Sequence, residues 1–98
     1  MVALPLLWVL WACGPIMSGV GAIDAQAAIR SAKIAGADKH AIYEITAAEQ
    51  YLQKSKEEAG YSDFAEARKY ANKSLALARK AKKVAIERSK VLESEAAQ

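Results

Sequence analysis

Three kinds of residue in this 98-residue chain could do chemistry. The first is a thiol. Cys13 is the single cysteine and closes the apolar run Leu10-Trp11-Ala12-Cys13. It has no partner for an intramolecular disulfide, but its sulfur is a nucleophile that alkylation turns into a thioether. The second is cationic. Between Arg68 and Lys90 stand nine Lys and Arg residues against one acid, Glu87. Lys69, Lys73, Lys80, Lys83 and Lys90 fall on the helix face opposite an alanine stripe. Such a face can hold nucleic acid, anionic lipid or an acidic cell-wall polymer. A solvated helix face whose cations suit a helix C-terminal half accounts for the same pattern.

The third set, the remaining titratable residues, does not converge. His40 is the single histidine, so no His/Cys cluster with zinc-ligand spacing exists. Glu57 and Glu58 are neighbours, about 100° apart on a helix. Lys54 and Glu58 read as a surface pair at i,i+4. Tyr43, Tyr51, Tyr61 and Tyr70 would gather near a hairpin, with core packing as the default reading. No nucleophile–base pair and no phosphate-cradling glycine loop is present. The expectation is a protein that is not an enzyme, with no cofactor and no metal.

These residues belong to two parts of the chain with different fates. The length allows one domain, and all 25 charged residues lie after residue 23. Val2–Ala12 is apolar apart from Pro5. As helix it would span about 16 Å, too short for a bilayer core of about 30 Å. That is the length of a signal-peptide apolar region. Leu10–Cys13 resembles a bacterial lipobox, with Leu at −3, a small residue at −1 and then Cys. The resemblance implies cleavage between Ala12 and Cys13 and acylation of Cys13, which anchors the chain to a membrane. Trp11 is bulkier than the usual residue there, and no Lys or Arg precedes the run. Gly14 after the cysteine implies sorting to the outer membrane. The rival reading is an uncleaved inner-membrane anchor, since residues 1–23 could span about 34 Å. A third is an apolar first helix with Cys13 buried in it.

Residues 13–21, with Gly14, Pro15, Ser18, Gly19 and Gly21, suit a flexible tether. Residues 22–98 show no alternating strand pattern, and helix formers dominate. A first helix is expected from Val20 or Ala22 to Ala35, with Ala22, Ala25, Ile29 and Ala32 on one stripe and Gly36 as its stop. A second is expected from about Lys39 to Ala59, capped by Asp38, burying Ile42, Ile45, Ala48, Leu52, Ser55 and Ala59, and ended by Gly60. A third is expected from near Asp63, which stands in capping-box spacing with Glu66. Its stripe is Phe64, Ala67, Ala71, Ser74, Ala78, Ala81 and Ala85. Tyr70, Leu77, Val84 and Val91 flank it at seven-residue intervals, which leaves room for self-association. The last stretch, about Ile86–Gln98, is expected to pass the second helix and fray. The short link at Gly60-Tyr61-Ser62 makes an antiparallel hairpin. The fold class is therefore all-α: an alanine-rich hairpin or three-helix bundle after a signal or anchor segment.

The stretch Ala32–Ala81 resembles the alanine-rich domain-of-unknown-function 4398 family. The resemblance rests on Ala37, Ala48, Leu52, Glu58-Ala59-Gly60-Tyr61, Ala67, Ala71 and Ala78. It implies a small bacterial envelope protein, often a lipoprotein, and carries over no catalytic residue. Gly60, Phe64, Ala67, Ala71, Ser74 and Leu75 also resemble one tetratricopeptide-like hairpin, although such solenoids need about three repeats. Together these readings imply a lipoprotein on the periplasmic face of the outer membrane. Its partner would be an envelope protein or peptidoglycan and not nucleic acid. The alternative is an accessory subunit held in the inner membrane.

Overall fold

The computed structural model describes residues 21–97. Cys13, Ala12 and the tether before Gly21 lie outside the described residues. The described chain is all-α, with helices α1 (Ala22–Ile34), α2 (Ala37–His40), α3 (Ile42–Gly60) and α4 (Phe64–Ala96). Each helix touches the other three, and the α3–α4 pair is the most extensive.

The α3–α4 hairpin is built on small residues. From α4, Ala67, Ala71, Ser74, Ala78, Ala81 and Ala85 are buried; from α3, Ile45, Ala48, Leu52 and Ser55 are buried. The largest side chains that are fully buried are Ser55 and Ser74. A seam this narrow lets helix axes approach to about 8 Å, and two hydrogen bonds exploit the approach. Ser55 Oγ donates to the Ala67 carbonyl at 2.7 Å, and Ser74 Oγ donates to the Ala48 carbonyl at 2.6 Å. One serine comes from each helix, and each reaches the backbone of the other. The pairings fix the antiparallel register, since residue number falls along α3 as it rises along α4. The apolar return is small: each buried methyl contributes about 0.8 kcal/mol, against about 1.5–3 kcal/mol for a Leu or Ile side chain.

α1 lies against both arms. Ala22, Ala25, Ile29 and Ala32 are buried, as their spacing predicts. It starts beside α4 and is tied to α3 at its far end, where Lys33 Nζ meets Glu49 Oε1 at 2.6 Å. Gly36 stops it with φ 98°, and the Gly36 N–H bonds the Lys33 carbonyl at 3.0 Å. Phe64 and Ile42 correct the expected stripes, at 39 % and 61 % exposed. On α3 the buried row is Ala41, Ile45, Ala48, Leu52 and Ser55, in 4-3-4-3 spacing that holds one face. A row started at Ile42 takes two steps of three in succession and drifts off it.

The expected second helix is also divided. Asp38 does not cap it; the residue sits inside the one-turn α2, whose N-cap is Gly36. The chain breaks at Ala41 (φ −143°, ψ 49°) before α3 begins. Ala37 and Ala41 are both buried here, at 0 % and 2 % exposed.

The hairpin turn differs from expectation in one residue. Gly60 is the last residue of α3, and the left-handed position is Ser62, with φ 62°. Asp63 N–H bonds the Glu58 carbonyl at 2.9 Å and Ser62 N–H bonds the Ala59 carbonyl at 3.0 Å. This is the crossed pair of a Schellman motif. Asp63 then caps α4 by accepting from the Glu66 N–H at 3.2 Å. One residue thus closes α3 and opens α4. At the far end α4 is helical to Ala96, with Val91 and Leu92 about half exposed.

Two sets of substitutions check this account by urea denaturation followed by circular dichroism. Ser55→Ala and Ser74→Ala should each cost about 1 kcal/mol, because the carbonyl left behind keeps its helical N–H. Ala71→Leu or Ala78→Leu should cost about 1–3 kcal/mol or more by prising the seam apart. At the turn, Ser62→Gly should stabilise by up to about 1 kcal/mol. Gly60→Ala should not destabilise, since nothing lies within 4 Å of its Cβ position. Gly36→Ala should destabilise, because it forces a positive φ and places a Cβ 3.3 Å from His40 Cδ2.

Candidate anionic-partner face

α4 is a rod of 33 residues, about 50 Å long. Its alanine stripe is spent on α1 and α3, so the opposite side is all that it offers to other molecules. Lys69, Lys73, Lys80, Lys83 and Lys90 are all exposed there, as their spacing predicts. Arg79, Lys82 and Arg88 are exposed beside them.

Ion pairs run along α3 and join α1 to α3. Lys54 approaches Glu58 at 3.7 Å and Glu57 at 4.0 Å along α3, which realises the expected i,i+4 pair. Lys33 pairs with Glu49 between α1 and α3. The hydrogen bond from Lys33 to Glu49, with the charge of that carboxylate, raises the ammonium above its ordinary range. On the alkaline side the attraction is therefore lost as pH rises through that raised value. On α4, Lys69, Lys73, Arg79, Lys80, Lys82, Lys83, Arg88 and Lys90 make no ion pair among the described residues. Glu87, the one acid within the run, pairs with none of them.

Lys73 departs from the rest of the row. Its Nζ stands 5.5 Å from the Tyr51 ring centre and 5.8 Å from that of Tyr70. The two rings are stacked across α3 and α4, with centres 6.0 Å apart and planes at 19°. Lys73 therefore belongs to one flank of the face, over a groove of about 580 Å³ lined by Tyr43, Ala47, Gln50, Tyr51, Lys54, Tyr70 and Leu77. This corrects the reading of four core tyrosines. Tyr51 and Tyr70 are half-buried and paired, whereas Tyr43 is 78 % and Tyr61 81 % exposed. The signal for the Lys73 contact was the i,i+3 spacing of Tyr70 and Lys73. Tyr70, Leu77 and Val84 are half-buried at the seven-residue spacing, and Val91 is exposed. His40 is half-buried beside Arg88, Val91 and Leu92.

Among the described residues no group of three or more His, Cys, Asp or Glu is placed to hold a metal ion. None of the described helices is long and apolar enough to cross a membrane.

The class of protein defined here is a small all-α domain whose long helix offers an unpaired basic face. The chain belongs to the DUF4398 family, a domain of unknown function, which it matches over residues 22–98. The match is wider than the Ala32–Ala81 stretch that first suggested it. No curated protein and no solved structure matches the chain.

Unpaired cations on one rod repel each other, and salt screens that repulsion. Thermal melts should therefore show a midpoint that rises between low salt and about 0.2 M NaCl. Substituting Lys69, Lys80, Lys83 and Lys90 by Gln should flatten the dependence.

Proposed function

We propose that this chain is a small cell-envelope lipoprotein with no catalytic activity. Cys13 is its acylated first mature residue, residues 13–21 are the tether, and the helical domain is a structural or adaptor element in the periplasm. The observation that carries the reading is the Leu10–Cys13 box placed directly ahead of the DUF4398 domain. The chemistry of the domain supports it. Apart from the shallow tyrosine groove, the domain presents a long helical surface, which is what helix–helix or cell-wall contact requires. The expected site is the periplasmic face of the outer membrane, with an envelope protein or peptidoglycan as partner.

A second reading keeps the uncharged segment ahead of α1 as an inner-membrane anchor of an accessory subunit. It is favoured by the absence of charge across residues 1–23.

Metabolic labelling with a palmitate analogue separates these readings. The wild type should label and Cys13→Ser should not; equal labelling of the two overturns the lipoprotein. Mass spectrometry of the mature N-terminus should find acylated Cys13. A retained Met1–Ala12 establishes the anchor.

A further inference from the structure

We infer that the basic face of α4 lies on the anionic headgroups of the membrane that the N-terminal segment enters. The inference rests on the membrane attachment proposed above, in either form. Three observations carry it. The first is charge: Lys69, Lys80, Lys83 and Lys90 are exposed and make no ion pair among the described residues. An anionic surface would supply what the fold does not.

The second is position. Gly21, the first described residue, sits against this helix. A Cβ built there would stand 3.8 Å from Ala71 Cβ and 4.0 Å from Asn72 Oδ1. Asn72 lies between Lys69 and Lys73 in sequence, so along the helix axis the chain joins the domain level with the start of the basic run, at the edge of the alanine stripe. The third is reach. The eight residue-to-residue steps from Cys13 to Gly21 extend to at most about 28 Å. The basic run from Arg68 to Lys90 is itself about 33 Å long. An anchored domain is therefore held within one rod length of the surface, at high effective concentration. The apolar stripe of α4 is buried in the seam, so the contact is electrostatic adsorption and not insertion of an amphipathic helix.

Lysine acetylation read by mass spectrometry tests this on the full chain in vesicles. The two vesicle types are phosphatidylcholine alone and phosphatidylcholine with phosphatidylglycerol. Lys69, Lys80, Lys83 and Lys90 should label at least about threefold more slowly on the anionic vesicles. Lys54 and Lys56 on α3 should be unchanged. The protection should vanish in about 0.5 M NaCl. Equal labelling on the two vesicle types overturns the inference. So does protection by isolated cell-wall sacculi without protection by anionic vesicles. Substituting the four lysines by Gln should abolish the preference at unchanged helicity. Attachment is read separately: a chain that fails to sediment with phosphatidylcholine vesicles contradicts the anchor, whereas a bound chain that labels evenly contradicts the face.

Discussion

Two serine hydroxyls hold this domain to its geometry. Ser55 and Ser74 each cross the α3–α4 seam to the other helix's carbonyl. Both are fully buried. A bond from a side chain as short as serine to a neighbouring backbone requires the helices to lie almost in contact. That in turn requires alanine along the rest of the seam. The constraint is mutual: alanine permits the approach, and the serines fix the register that uniform alanine would leave free to slide. An alanine–alanine contact looks much the same one turn along, whereas a hydroxyl aimed at one carbonyl does not.

This explains which parts of the fold are legible in the sequence. The α4 stripe could be read because one uninterrupted helix carries small residues at three- and four-residue steps from Ala67 to Ala85. The cap could be read because Asp63 and Glu66 stand in a fixed local relation. The break at Ala41 could not. The stretch Ala37-Asp38-Lys39-His40-Ala41-Ile42 contains neither Gly nor Pro, and Ala is the best of helix formers. Ala37 and Ala41 are both buried there, and local propensity does not encode the turn between them and α3. The left-handed residue at the hairpin is a similar case. Gly60 is the residue whose conformational freedom invites that role. Asp63 must cap α4 and also complete the closing of α3, and this places the positive φ at Ser62.

The basic face shows the same division. Its membership follows from helical periodicity, and all five lysines are exposed as that periodicity requires. What periodicity does not supply is the neighbour. Lys73 sits over two tyrosines, one of which comes from α3. The absence of ion pairs along the row is likewise a property of the assembled fold. Glu49 is committed to Lys33, and Glu57 and Glu58 to Lys54.

A domain with this core has little freedom to work through a deep pocket. Side chains that could wall a cavity are replaced by methyl groups along the seam, and the larger apolar residues Ile34, Tyr43 and Tyr61 stand outside it. The groove between the tyrosines is an open surface depression lined by both arms of the hairpin. The capacity that remains is long, rigid and electrostatic. A narrow seam leaves the basic side of α4 exposed while fixing its direction. A fixed direction lets well-separated lysines face one side together. Screening limits such charges to about 8–10 Å of reach at ordinary salt. They become useful only where something holds the domain close to an anion, and a tether joined beside Asn72 would do so.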